Sequence, residues 1–191
     1  MQQASQVSEQ VIMGIDPGTT IMGYGVIATR GSKIKLLTYG VVNLSKYEGH
    51  AQKLRRIFER ISDLIEGYKP DFIALEAPFY GKNVQSMLKL GRAQGVAMAA
   101  GLTRDIPISE YAPKKIKQAI TGSGNASKEQ VAGMLQKMFQ LKELPEHLDA
   151  TDGLAAAVCH HHALHSGTAD LDGSKASSWK AFIGKNPKRV N

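Results

Sequence analysis

The chain has 191 residues, 42% hydrophobic and 21% charged, and carries a formal net charge of +7 from 24 basic and 17 acidic residues. That length makes one domain with its own core the default. Cys159 is the only cysteine and no apolar run approaches the roughly 20 residues that span a bilayer, so a disulfide scaffold and a helical membrane protein are excluded and a cytoplasmic location is expected.

Residues 1–9 are polar and contain no Lys or Arg, which reads as a disordered leader and not as a signal peptide. Three strand-like runs follow at Val11–Ile15, Gly23–Thr29 and Lys33–Leu44, separated by Asp16-Pro17-Gly18 and Arg30-Gly31-Ser32. Leu54, Ile57, Phe58, Ile61, Leu64 and Ile65 then recur at helical spacing with Arg55, Arg56, Glu59 and Arg60 between them, the pattern of an amphipathic helix. The run Asp71–Leu75 is nearly all apolar, as in a parallel strand covered on both faces. Strand, crossover helix and buried strand make a right-handed parallel connection the economical topology. Helical segments are expected at about 84–103, 113–120, 127–140 and 146–165, with a short strand near Ile106–Glu110. The sum is an α/β domain over 10–166, a mixed sheet with helices on both faces. Residues 167–191 form a tail; its last 19 residues hold five basic side chains and no acid, the composition of a flexible segment.

Four acids fall where apolar pattern says core structure is being built. Asp16 and Glu76 close the first and fourth strands, while Asp149 and Asp152 open the last apolar helix on one side of it. If the two strands are parallel neighbours, both side chains emerge at the sheet edge where α/β folds place ligands. Carboxylates beside a core are costly to desolvate, and a divalent cation with oxygen ligands is their common partner. Such a cluster can hold two Mg²⁺ ions about 4 Å apart. Each acid also has an ordinary reading: Asp16 as the first residue of a β-turn, Glu76 paired with a lysine, Asp149 as a helix cap, Asp152 at the positive helix end. One metal site accounts for all four together. His160, His161, His162 and His165 invite a zinc reading, but His160 lies about 12 Å along the helix from Asp152, and a polar helix end accounts for them better.

The positive balance favours a polyanion, nucleic acid first, although scattered surface lysines give the same sum. Phe79 and Tyr80, in a loop marked by Pro78 and Gly81, would be exposed rings able to stack on unpaired bases, unless one folds back onto the core. Lys114, Lys115 and Lys117 fall on a short helix. Lys128 follows the Gly/Ser loop Thr121–Ser127, whose backbone N–H groups, at a helix start, suit phosphate. Lys117 and Lys128 are the pair expected to touch phosphate or stabilise transition-state charge. Gly91, Gly95 and Ala99 form a small-residue stripe that suits either packing on the sheet or a two-fold dimer seam.

On Gly14-Ile-Asp-Pro-Gly-Thr19, Gly23-Tyr-Gly-Val-Ile27, Ala74-Leu-Glu76 with Phe79 and Lys82-Asn83, Leu88-Lys-Leu-Gly91, Gly95-Val-Ala97 and Asp149-Ala-Thr-Asp152-Gly-Leu-Ala155, the chain resembles the RuvC family of bacterial Holliday junction resolvases. The order and spacing of these pieces cover about residues 11–165. The resemblance implies an RNase H-like fold with a mixed five-stranded sheet, and a homodimer that cuts two symmetric strands of a four-way DNA junction. It implies metal-ligand and catalytic roles for Asp16, Glu76, Asp149 and Asp152, with Mg²⁺ as cofactor and Mn²⁺ as a substitute. It implies stacking by Phe79, phosphate interaction by Lys117 and Lys128, and the RuvAB branch-migration complex as partner; Tyr80, Lys82, Lys114 and Lys115 complete the expected DNA-facing set. The expected chemistry is attack of an activated water on phosphorus, leaving a 5′-phosphate and a 3′-hydroxyl. An actin-like ATPase or sugar kinase shares the strand, Asp-x-Gly and Thr pattern, but 191 residues are too few for its two lobes. A non-catalytic DNA-binding scaffold of the same fold is the other alternative, and the intact acid set argues against it.

Overall fold

In the computed structural model, residues 8–78 and 83–166 are described. Most of the leader, the tail from residue 167, and the expected DNA-facing residues Phe79, Tyr80 and Lys82 lie outside them. The elements run β1 (Gln10–Asp16), β2 (Ile21–Arg30), β3 (Lys33–Asn43), α1 (His50–Tyr68), β4 (Phe72–Glu76), α2 (Val84–Leu102), β5 (Ile108–Tyr111), α3 (Pro113–Thr121), α4 (Lys128–Phe139) and α5 (Asp149–Ser166). No helix among the described residues is long and apolar enough to cross a membrane.

The five strands form one sheet in the order β3-β2-β1-β4-β5. β1 pairs antiparallel with β2, and β2 with β3, through turns rich in residues that break strands. β1 pairs parallel with β4, and β4 with β5. The register sets Ile15 beside Leu75, so the next residues, Asp16 and Glu76, leave adjacent strands at the same edge. The expected parallel pairing is therefore present.

Alternation along the strands sends side chains into two separate cores. Met13, Ile15, Ile73 and Leu75 pack with Ile57, Ile61, Leu64 and Ile65 of α1 and with Ala93, Ala97 and Ala100 of α2. Ile12, Ile27 and Ala74 pack with Ile116 and Ile120 of α3, Val131 and Leu135 of α4, and Leu154 to Val158 of α5. The sheet is thus covered on both faces, as the near-continuous apolar runs of β1 and β4 require.

α5 lies unusually close to β1 and β2 because glycines face one another. A Cβ on Gly14 would overlap the Gly153 carbonyl oxygen and the Ala157 nitrogen, and one on Gly23 would overlap the Asp149 carbonyl. A Cβ on Gly25 would meet the Leu154 backbone, and one on Gly153 the Tyr24 nitrogen.

One expectation needs correction, and one of two alternatives is closed. The histidines of α5 are not all a polar helix end: His160 is fully buried and His161 is 3% exposed, while His162 is half-buried and His165 exposed. Burial is sustained for His160 by a 2.7 Å hydrogen bond between its Nδ1 and the Tyr111 hydroxyl and by packing on Phe72. Gly91, Gly95 and Ala99 do not pack on the sheet. They are exposed on α2, while Ala93, Ala97 and Ala100 face the core.

Candidate active site

Asp16, Asp149 and Asp152 meet at the edge where β1 and β4 end and α5 begins. Each offers one carboxylate oxygen to a group in which all three lie within 4.8 Å of one another. The close approach of α5 over Gly14, Gly23 and Gly25 brings the two helical acids to the strand acid. Glu76 is outside that trio of oxygens but shares with Asp16 a small hollow of about 100 Å³, walled by Pro17, Pro78 and Leu90.

The electrostatics are those of an anionic cluster short of positive charge. Desolvation first, then the charges of Glu76 and Asp152, push the Asp16 pKa up to about 8. Desolvation and Asp152 push Glu76 up to about 7, against the opposing pull of Lys128 and Lys117. Asp152 is also raised, chiefly by burial, even though Lys128 opposes the shift. Lys128 is the cation built into the cluster: its Nζ donates to Asp152 Oδ2 at 2.6 Å and lies 3.8 Å from Asp149 Oδ1. Burial works against the Lys128 ammonium, but the hydrogen bond to Asp152 and the charges of Asp152, Asp149 and Asp16 outweigh it and raise its pKa.

These residues fit a divalent metal ion. The donor set is hard oxygen, the carboxylates are crowded enough to resist ionising on their own, and a lysine ammonium already occupies the attractive position between two of them. Pairing of an acid with a lysine, considered above for Glu76, is realised by Asp152 instead.

The expected basic residues divide. Lys114, Lys117 and Lys128 line a hollow of about 640 Å³ together with Glu76, Gly124 and Asn125. Lys115 turns away: its Nζ stands 4.8 Å from the centre of the Tyr111 ring, and it lines a different hollow with Cys159 and His162. The Gly/Ser loop does not present all its donors to solvent. Ser127 and Gln130 form a reciprocal capping box, Ser127 Oγ accepting from Gln130 N at 3.2 Å and Gln130 Oε1 from Ser127 N at 2.8 Å.

Sequence reasoning overlooked the positioning role of the glycines. Their signal was present as three glycines on facing strands and a fourth inside an otherwise apolar helix, where glycine disfavours helix formation.

Comparison with known proteins agrees with this geometry. The family model described as "Crossover junction endodeoxyribonuclease RuvC" matches residues 12–160. Crossover junction endodeoxyribonuclease RuvC of Christiangramia forsetii is 60% identical over 183 residues, covering 96% of this chain and 94% of that protein. The enzyme of the same name from Bacteroides fragilis is 60% identical over 186 residues, covering 96% and 97%. The solved structure of T. thermophilus RuvC in complex with Holliday junction substrate superposes with a TM-score of 0.79 at 35% identity, over 85% of this chain and 99% of that one. The yeast mitochondrial Holliday junction resolvase Ydc2, 17% identical with a TM-score of 0.55, shares the fold. With four acids converging at one sheet edge and sequence identity running across nearly all its length, the chain belongs to the RuvC family of crossover junction endodeoxyribonucleases.

Proposed function

We propose that this protein resolves four-way (Holliday) DNA junctions by metal-dependent hydrolysis of a phosphodiester at the Asp16, Glu76, Asp149 and Asp152 cluster. The observation that carries the proposal is the convergence of Asp16, Asp149 and Asp152 within 4.8 Å in a RuvC-family chain. The complex of T. thermophilus RuvC with its junction substrate supports the choice of substrate.

Mg²⁺, two ions per site, is the cofactor of this reading; when bound, it lowers the pKa of water and neutralises charge on the phosphate and leaving oxygen. Asp16, Asp149 and Asp152 hold the cofactor, and Glu76 completes the ligand set from the neighbouring strand. Lys117 and Lys114 offer positive charge to the phosphate beside it. Lys128 exchanges Asp152 for substrate phosphate once that carboxylate is engaged. The product ends are a 5′-phosphate and a 3′-hydroxyl. Phe79 stacks on a base at the opened crossover, with Tyr80 and Lys82 beside it.

A junction has two symmetric strands to cut, so a two-fold dimer is the matching assembly. The exposed face of α2, with Val84, Leu88, Gly91, Gly95 and Ala99, is the seam; Val84 is 67% exposed and Leu88 50%. RuvAB is the branch-migration partner in this reading, and the cytoplasm is the compartment.

The test is a cleavage assay on labelled four-way junction, linear duplex and single strand, with Mg²⁺ or EDTA. Paired incisions confined to the junction and to Mg²⁺ are expected, with none from Asp16→Asn. Equal cutting of linear duplex, or cutting by Asp16→Asn, would overturn the proposal.

A further inference from the structure

A second basic hollow lies on the other face of the sheet from Lys114 and Lys117. It has a volume of about 390 Å³ and is lined by Thr19, Thr20, His50, Lys53, Ser86 and Lys89. Thr19 and Thr20 belong to the turn that leaves Asp16, so the hollow begins three residues from the acidic cluster. Lys53 Nζ donates to the Thr19 carbonyl oxygen at 3.2 Å, which holds an ammonium over that turn.

The charges are arranged against their own helices. His50 and Lys53 sit in the first turn of α1, where the helix end is already positive, and the first turns of α1 and α2 contain no acid. The cap of α1, Gly49, makes no side-chain hydrogen bond to the helix end. Desolvation, and then the charges of Arg92, Lys89 and Lys53, bear on His50 and hold its pKa below the usual histidine value. His50 Nε2 is buried with no hydrogen-bond partner.

Among the described residues, none of Lys53, Lys89 and Arg92 is in an ion pair, and neither is Glu48, the acid nearest in sequence. By contrast Arg55, Arg56 and Arg104 all pair with acids of α1, Glu59 or Glu66. Uncompensated cations, two hydroxyl-bearing walls and an uncapped helix end in one concavity are complementary to an anion with several acceptor oxygens.

We infer that this hollow binds a backbone phosphate of the substrate DNA, so that the strand crossing the acidic cluster is held on both faces of the sheet. The inference rests on the junction-resolving reading above. It adds Lys53, Lys89, His50 and Ser86 to the DNA-facing set, and Thr19 and Thr20 to the same grip.

The test measures binding of an immobile four-way junction in EDTA as a function of salt. Lys53→Gln/Lys89→Gln is compared with Lys33→Gln, whose side chain is exposed at the far end of the sheet. A charged hydrogen bond lost from the hollow loosens Kd by about tenfold, and the logarithmic salt slope falls by about 1 per phosphate contact. Lys89→Gln alone serves as the second variant, because Lys89 is exposed and its loss leaves the Lys53 bond to Thr19 in place.

Junctions carrying single neutral methylphosphonate linkages near the cut then locate the contact: at one position the cost of neutralisation disappears in Lys89→Gln. A slope equal to that of Lys33→Gln, or costs that add at every linkage, overturns the inference. If the unaltered protein fails to bind or cut the junction at all, it is the functional reading that fails.

Discussion

Asp16→Asn should make the metal-free protein more stable while abolishing its activity. In the folded protein burial, and then the charges of Glu76 and Asp152, push the Asp16 carboxyl up to a pKa of about 8 from its ordinary 3.8. A carboxyl raised on folding binds a proton in the native state that the unfolded chain has already lost. Stability from this group is therefore greatest at low pH and declines as pH rises from 3.8 towards 8. At pH 7 about three pKa units of that interval have been crossed, or ~4 kcal/mol at 1.4 kcal/mol per unit. Water entry and rearrangement of Lys128 will take up part of it, leaving roughly 2 kcal/mol for the substitution to recover. Asparagine keeps the shape and has no charge to desolvate. For a chain of this length the recovered energy is a rise in Tm of about 4–8 °C in EDTA. The assay is thermal unfolding at pH 5.5 and 8, with and without Mg²⁺. The unaltered protein should lose stability from pH 5.5 to 8 in EDTA and regain it with Mg²⁺, whereas the variant should lose less, keeping only the part that Glu76 and Asp152 contribute. A lower Tm for Asp16→Asn in EDTA would refute the reasoning, since it would mean that the carboxylate makes structural bonds instead of waiting for a cation.

The other perturbations probe different parts of the same arrangement. Lys128→Gln removes the ammonium that stands between Asp152 and Asp149, and should lower Tm in EDTA by about 2–4 °C, the equivalent of ~1 kcal/mol for a half-exposed lysine; saturating Mg²⁺ should close that gap, and an unchanged gap would show that the pairing is not cation replacement. Gly23→Ala drives a Cβ into the Asp149 carbonyl and should cost about 1–3 kcal/mol in urea unfolding while cutting incision rates, whereas Gly133→Ala, which meets nothing within 4 Å, should do neither. Burial holds His160 and His161 near a pKa of about 4, down from 6.5, so their contribution to stability is intact above 6.5 and is lost as pH falls towards 4. Urea midpoints should fall over that window and fall less in His161→Leu; parallel profiles would assign the acid sensitivity elsewhere.

Those experiments separate what pattern could reveal from what packing decided. The ends of β1 and β4 were legible because apolar runs stop at Asp16 and Glu76, and parallel neighbours then place both acids at one edge. The spacing of Asp149 and Asp152 was legible because residues three apart share a side of a helix. The direction of Lys115 was not, since its neighbours Lys114 and Lys117 differ from it only in angle around a two-turn helix. Burial of His160 was also hidden: only the fold reveals that Tyr111, 49 residues earlier, brings a hydroxyl to its Nδ1. Periodicity alone assigns a histidine-rich helix end to solvent, and a tertiary hydrogen bond reversed that assignment for His160.

The glycines join the fold to the chemistry. Gly14, Gly23 and Gly25 remove three side chains from the surface of β1 and β2, and Gly153 removes one from α5, so the helix backbone descends onto the strands. A helix held farther out by β-carbons would leave Asp149 and Asp152 too far from Asp16 to share an ion. Close approach instead forces the carboxylates together in a poorly solvated place, and their raised pKa values record the cost. The rest of the two cores must supply the stability that this crowding removes, and a cation held as proposed above would return it through the preference of the ion for the folded state. In the metal-dependent function proposed above, affinity for the ion and strain in the metal-free protein therefore have one origin, the distance between α5 and β1. Substitutions that relax the strain by moving α5 outward should weaken ion binding along with it.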